Sequence, residues 1–168
     1  MEQLNDYRNH LLDRLEESAR EFRTSIQSAN EAKPVHTNEW NAHQIAVHTR
    51  DVEKMVYGAR IRRSIAEENP LFENFDGDTW MTEHYDANEP LTAILDELVD
   101  SVFQTVAALR ALPHEAWTRA SRHETYGEGF TTQTWVERSL AHIEEHLKTI
   151  HDEQIASGGN NSPSEKSP

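Results

Sequence analysis

The chain has 168 residues, which fits one domain of ordinary size with a buried helical core. It contains no cysteine, and this excludes disulfide bonds, thiolate metal sites and cysteine nucleophiles. Its formal net charge of −14 argues against nucleic acid and anionic membranes as partners, because both bind chiefly through Lys and Arg.

The first predicted helix covers about residues 2 to 28, and it has no internal Gly or Pro. The N-terminal sequence MEQLNDYRNHLL is polar, and no apolar run approaches the ~20 residues that a membrane span needs, so we expect a cytoplasmic protein. Pro34 should stop the helix from continuing. The apolar stripe consists of Leu4, Leu11, Leu15, Phe22 and Ile26, with Tyr7 at its edge.

The second predicted helix begins near Asn41, which can cap it while Gln44 reaches back in a capping box. It ends before Asn69-Pro70. Ile61 and Ile65 fall off its apolar stripe, so the last turns are less regular. The stripe consists of Ile45, His48, Val52, Met55, Val56 and Ala59.

A long connection over about residues 68 to 87 is rich in aromatic residues and should pack over one end of the bundle. The third predicted helix starts near Asn88, with Pro90 in its first turn, and runs to Leu112. Its core face consists of Leu91, Ile94, Leu95, Leu98, Val102, Val106 and Leu109.

The segment from Trp117 to Phe130 contains two glycines and is predicted to be a loop or short hairpin. The fourth helix should start at Thr131 or Thr132 and run to about Ala156. No segment has strand periodicity strong enough to predict a sheet. We therefore predict an all-α four-helix bundle over residues 1–156, with up-down-down-up or up-down-up-down topology, and a disordered tail over residues 157–168.

Three of the ten histidines occupy unusual positions on their helices. At about 100° per residue, His48 lies close to the centre of the apolar stripe of the second helix. His142 and His146 are one turn apart on a flank of the fourth helix that is nearly free of charge. A single core histidine is more often a packing residue than a ligand, but the three together predict a metal site.

A three-nitrogen site of this kind suits a divalent transition metal, with Zn or Ni preferred and Fe or Co also admissible. Such an ion can acidify a bound water or thiol, or polarise a carbonyl. Mg²⁺ and Ca²⁺ prefer oxygen ligands and are disfavoured. The predicted metal ligands are His48, His142 and His146.

Two segments resemble the DinB-like superfamily, which includes bacillithiol transferases and the N-terminal domain of mycothiol-dependent maleylpyruvate isomerase. The segment from Glu39 to His48 resembles the family's tryptophan, N-cap and helix-two pattern, which ends in a metal-binding histidine. The segment from Phe130 to His146 resembles its fourth helix. With the helix pattern, the likeness spans roughly residues 1 to 155. It implies a four-helix bundle with a histidine triad near one end, frequently as a homodimer.

The resemblance allows two alignments of the fourth helix. In many members the HxxxH pair lies one turn later, which would match it to His146 and Ile150. In the isomerase-like branch an acidic residue and a histidine lie four apart, which matches His142 and His146. The second alignment is preferred because both positions then carry possible metal ligands.

Weaker candidates for catalysis are Asp51, one turn after His48, and His123 and Glu124 on the loop before helix four. Trp40 and Trp135 could line a pocket or pack in the core. By analogy, the chain is expected to be a metal-dependent thiol transferase or hydrolase that acts on a small molecule, with a low-molecular-weight thiol as one candidate partner. Two alternatives stay open: a stress-related bundle that binds a metal or small molecule without catalysis, and a structural dimer without metal.

Overall fold

The structure is a computed structural model that describes residues 2–31 and 40–158. The predicted stop at Pro34 lies outside the described residues, as does the predicted tail beyond residue 158. The described helices are α1 (Glu2–Glu31), α2 (Ala42–Val52), α3 (Gly58–Ala66), α4 (Gly77–His84), α5 (Leu91–Arg110) and α6 (Thr132–Gly158). The strands are β1 (Leu71–Phe72), β2 (Ala120–His123) and β3 (Gly127–Thr131), and a 3₁₀ turn spans His114–Thr118.

The second helix of the bundle consists of α2, one π-helical turn at Glu53–Tyr57, and α3, which follow one another without a break. We call this unit the α2–α3 rod. The capping box at its start is confirmed, because the Asn41 side chain accepts from the Gln44 amide and the Gln44 side chain accepts from the Asn41 amide.

Side-chain contacts along α1 define the directions of two other helices. In the contacts between α1 and α6, the residue numbers increase along both helices in the same direction, so these helices are parallel. Tyr7 hydrogen-bonds to Glu137, and Arg14 hydrogen-bonds to Glu144. In the contacts between α1 and α5, residue numbers increase along one helix while they decrease along the other, so these helices are antiparallel. The salt bridges Asp13–Arg110 and Arg23–Asp96 show this order.

The α2–α3 rod runs antiparallel to α6 and parallel to α5. Its residues Glu53 and His48 contact Ser139 and His142 of α6, in the opposite order along the chain. Its salt bridges to α5 and the segment before it are Arg50–Glu89, Arg50–Glu97 and Lys54–Glu97. The bundle therefore has the up-down-down-up topology, one of the two predicted.

The π turn explains where the predicted stripe of the second helix fails. Met55 was expected in the core but is 40% exposed, whereas Ile61 was placed off the stripe but is buried. A π turn inserts one residue into the helical repeat and rotates everything after it relative to a regular helix. The single-period expectation was therefore wrong for Met55 and Ile61, whereas Val56 of the same stripe is buried as expected.

The expectation of no sheet was wrong. β1 pairs in parallel with β2, and β2 pairs antiparallel with β3, with an irregularity between Ser121 and His123. The segment before α6 is thus the short hairpin that the sequence offered as an alternative. Two glycines of β3 have positive φ, +75° at Gly127, which follows the turn, and +100° at Gly129. Strands of two to five residues are too short to carry a clear alternation of apolar and polar residues.

The long connection contributes to the core through β1 and α4. Phe72 of β1 and Met81 of α4 are buried, and the Phe72 ring packs edge-on against Trp135. At the start of α1, Leu4 and Tyr7 are 44% and 47% exposed, so the predicted core stripe begins only at Leu11. None of the described helices is long and apolar enough to cross a membrane.

Candidate metal centre

The three predicted histidines meet between the α2–α3 rod and α6. The Nε2 atoms of His48 and His142 are 3.4 Å apart, and those of His142 and His146 are 3.2 Å apart. Possible ligand atoms of all three residues lie within 4.8 Å of one another. The structure therefore brings together the residues that the helix faces predicted.

These spacings fit a metal ion. Nitrogen ligands about 2.0–2.1 Å from a tetrahedral ion are about 3.3–3.4 Å from one another, close to both observed separations. Three imidazole nitrogens are also the donor set of a transition metal rather than of Mg²⁺ or Ca²⁺. Because three side chains converge among the described residues, a tetrahedral ion held by them would keep one position for water or substrate.

The position of His48 depends on two close neighbours. The Trp40 ring packs against the imidazole with 4.7 Å between centroids. On another side, the backbone at Gly77, the first residue of α4, comes so close that a Cβ there would lie 2.9 Å from His48 Cε1. Only glycine allows this approach without moving the imidazole. The backbone at the start of α4 therefore limits where the His48 ring can lie.

His142 is held by a buried carboxylate that the sequence analysis missed. Glu53 Oε1 lies 3.2 Å from His142 Nδ1, and Ser139 Oγ donates to Glu53 Oε2 at 2.6 Å. A proton on Nδ1 that is donated to Glu53 leaves the Nε2 lone pair of His142 aimed at the other two imidazoles. Carboxylate–histidine–metal arrangements of this kind orient the ligand and raise its basicity.

Glu53 opens the π turn, and the Gly58 amide donates to its carbonyl oxygen five residues back. A Cβ at Gly58 would lie 2.7 Å from that oxygen. Single π turns often occur at functional sites. The one sequence signal for this feature is a glycine inside an otherwise continuous helical pattern.

Burial favours the neutral imidazoles of His48 and His146. It lowers the pKa of His48 to about 4 and that of His146 to about 3, and the neighbouring His142 adds to both shifts. Burial also raises the pKa of the Glu53 carboxyl, which the hydrogen bonds from His142 and Ser139 oppose. Neutral His48 and His146 near pH 7 are in the protonation state that metal ligation requires.

The three weaker candidates lie outside this cluster. Asp51 accepts from Arg50 Nε at 2.7 Å and from Trp80 Nε1 at 2.9 Å, which ties α2 to α4. His123 is buried in β2 and accepts through Nδ1 from the Thr125 amide. Glu124 accepts from the Asn74 amide at 2.7 Å, across to the long connection. These contacts give each residue a structural role, and a catalytic role stays a prediction.

Ile150, the second position in the alternative alignment, is completely buried in the core. The convergence of His142 and His146 with His48 therefore favours the alignment that pairs these two histidines. Trp135 is also buried and donates to Ser121 Oγ at 2.8 Å, so it packs in the core, whereas Trp40 lines a cleft.

That cleft, of about 730 Å³, reaches His146 between α2, α4 and α6. It is large enough for a small organic molecule. Its other lining residues are Trp40, Gln44, Ile45, Asp78, Met81, Thr82, Tyr85, Glu145 and Thr149.

Comparisons with known proteins agree with this architecture. A family model described as the DinB superfamily matches residues 1–150. A solved structure of YfiT from Bacillus subtilis superposes with a TM-score of 0.79 and 21% sequence identity, covering 89% of this chain and 87% of that one. YfiT is described as "a probable metal-dependent hydrolase with an unusual four-helix bundle topology". At this identity the likeness concerns the fold. A comparison with curated protein sequences finds no match.

Proposed function

Because this chain belongs to the DinB superfamily, we propose that it is a metal-dependent hydrolase of small molecules whose ion is bound by His48, His142 and His146. The observation that carries the proposal is the convergence of three imidazole Nε2 atoms at 3.2 and 3.4 Å. Zn²⁺ and Ni²⁺ suit this donor set best, and Fe²⁺ or Co²⁺ would also fit.

An ion held by three imidazoles supplies a Lewis acid that acidifies water or a thiol and polarises a carbonyl. The chain's own residues set the conditions for this chemistry. Glu53 orients His142, and burial keeps His48 and His146 neutral. The cleft beside His146 gives a substrate access from one side, and the Trp40 ring shields the His48 imidazole.

Two observations favour hydrolysis over simple metal storage. Among the described residues, three side chains rather than four are placed to bind the ion, which is typical of catalytic sites because one position stays open. The site also borders a cleft of substrate size instead of being closed. The description of YfiT as a probable metal-dependent hydrolase points in the same direction for a protein of the same fold.

The proposal is tested by hydrolysis of a panel of chromogenic esters and amides. Untagged protein is stripped of metal and then loaded with Zn²⁺ or Ni²⁺, and thiol conjugation is assayed in parallel. We expect hydrolysis that depends on the added metal and falls at least about 100-fold in His48→Ala. His151→Ala is the matched control, because His151 is exposed on the same helix as His142 and His146 and lies outside the cluster.

Equal activity of the metal-free and metal-loaded protein would contradict the proposal. So would a loss of activity in His151→Ala as large as in His48→Ala. Metal-dependent thiol conjugation without hydrolysis would place the chain among transferases instead.

A further inference from the structure

The cleft beside His146 has a wall of apolar and aromatic side chains. Ile45 and Met81 are buried at its base, and the rings of Trp40 and Tyr85 are partly exposed along it. The Tyr85 hydroxyl lies 3.0 Å from His43 Nδ1, which fixes the ring in place. This wall suits an apolar body of a few carbon atoms, and the faces of Trp and Tyr attract cations.

Among the described residues that line the same cleft, the charged side chains are all of one sign. Its two ionisable side chains apart from His146 and Tyr85 are Asp78 at the start of α4 and Glu145 on α6, and the ten lining residues include no Lys or Arg. Within the part of the chain that the structure describes, neither carboxylate has an ion-pair or hydrogen-bond partner. Two other carboxylates on α6 differ in this respect, since Glu144 pairs with Arg14 and Asp152 with Lys148.

A second, shallower cleft on the His48 side continues this pattern. It is lined by Asp78, shared with the first cleft, and by Asp76, and it also has no cationic side chain. Both approaches to the three imidazoles therefore pass carboxylates. An anionic ligand would be repelled on these approaches, whereas an ammonium group would find carboxylates and aromatic faces together.

We propose that the cleft beside His146 binds the ammonium end of a small organic amine with an apolar body, with Asp78 and Glu145 as its counter-charges. This proposal rests on the proposed function in one respect: the bond to be hydrolysed would lie on the side of the ligand that faces the histidine cluster. The substrate class is thus an amine-bearing ester or amide rather than an anionic one.

The test uses three matched probes with the same phenyl body: 2-phenylethylamine, 2-phenylethanol and 3-phenylpropionate. Each is titrated into metal-free full-length protein by calorimetry, so that the amine cannot bind through a metal ion. Two exposed carboxylates and an aromatic face predict about tenfold tighter binding of the amine than of the alcohol, and weaker binding of the carboxylate. The double variant Asp78→Asn/Glu145→Gln should reduce the preference for the amine to about twofold or less.

The matched control is Glu115→Gln/Glu128→Gln, which removes the same charge from exposed positions outside the cleft and should keep the full preference. Equal binding of amine and alcohol, no binding of the amine, or an unchanged preference in Asp78→Asn/Glu145→Gln would overturn the assignment. Amine preference in a protein that takes up no metal would leave this assignment in place and reject the hydrolase. Metal-dependent hydrolysis without amine preference would do the reverse.

Discussion

Glu53 is the residue whose surroundings say most about the cluster. Its side chain is 3% exposed, and a carboxylate with so little solvent is stable only with hydrogen-bond partners. Both oxygens have one, from His142 and Ser139. The carboxylate therefore has a defined task, which is to hold the imidazole of His142 in one orientation.

We expect Glu53→Gln to weaken metal binding about 10- to 100-fold, the range observed when partners of metal ligands are removed. Gln keeps the size and one acceptor, so the metal-free protein should melt within a few degrees of the wild type. Zn²⁺ affinity is measured by competition with a chelator, and the melting temperature by circular dichroism. An unchanged affinity would show that Glu53 does not position His142.

Asp51→Asn is the control for that experiment. Asp51 is a carboxylate two residues earlier on the same rod, but it bonds to Arg50 and Trp80 and not to a histidine. Loss of the Asp51 carboxylate in this variant should change the affinity for Zn²⁺ less than about threefold. A larger effect than that of Glu53→Gln would move the positioning role to Asp51.

Part of the candidate metal site could be predicted from the sequence. His48, His142 and His146 could be predicted because a histidine on an apolar or charge-free helix face is unusual. Glu53 could not, because on a regular α-helix it lies about 140° from His48, where an acidic residue is expected to be exposed. Its burial depends on a partner helix that is remote in the sequence.

Among the elements, the π turn at Glu53–Tyr57 begins at the carboxylate that holds His142 and changes the packing of the helix after it. It lets the Gly58 amide bond to the Glu53 carbonyl, and it rotates α3 so that Ile61 enters the core. A regular helix would have the apolar stripe that the sequence predicted, with Met55 inside. The turn therefore serves the packing of α3, and its first residue is the carboxylate that bonds to His142.

Gly58→Ala should destabilise the protein, because the new Cβ would lie 2.7 Å from the Glu53 carbonyl oxygen, which is backbone and cannot easily move. We expect a loss of roughly 1–2 kcal/mol in the free energy of unfolding, although Ala in a regular helix gains up to about 1 kcal/mol over Gly. Urea denaturation measures the change. A variant more stable than the wild type would contradict the close approach.

Over the whole molecule, the up-down-down-up topology makes the α2–α3 rod and α6 antiparallel neighbours, and this brings His48 opposite His142 and His146. Helical periodicity predicted the four bundle helices because each has a long apolar stripe. It did not choose between two topologies, because the path of the long connection depends on contacts such as Phe72 with Trp135. The homodimer suggested by the resemblance stays a prediction.

The buried histidines make the metal-free protein sensitive to acid. The folded pKa values of His48 and His146, about 4 and about 3, lie below the unfolded value of 6.5, so the unfolded state binds more protons as the pH falls. Their contribution to stability is complete above about pH 7. Below pH 7 this contribution decreases, and between about pH 6 and pH 4 each histidine lowers the free energy of unfolding by roughly 1.4 kcal/mol per pH unit.

Urea denaturation of metal-free protein at pH 7, 6 and 5 tests this expectation. The double variant His48→Gln/His146→Gln removes both groups and should show a flatter decline in the free energy of unfolding. The same slope in wild type and variant would show that the two imidazoles are not protected from protons in the folded state.

Calorimetric titration of metal-free, untagged protein with Zn²⁺ tests whether the three imidazoles form one metal site. We predict about one ion per chain, with binding weakened at least about 100-fold in each of His48→Ala, His142→Ala and His146→Ala, and unchanged in His151→Ala. No uptake of Zn²⁺ or Ni²⁺ by the wild type, or uptake that survives all three substitutions, would show that the three histidines do not form a metal site.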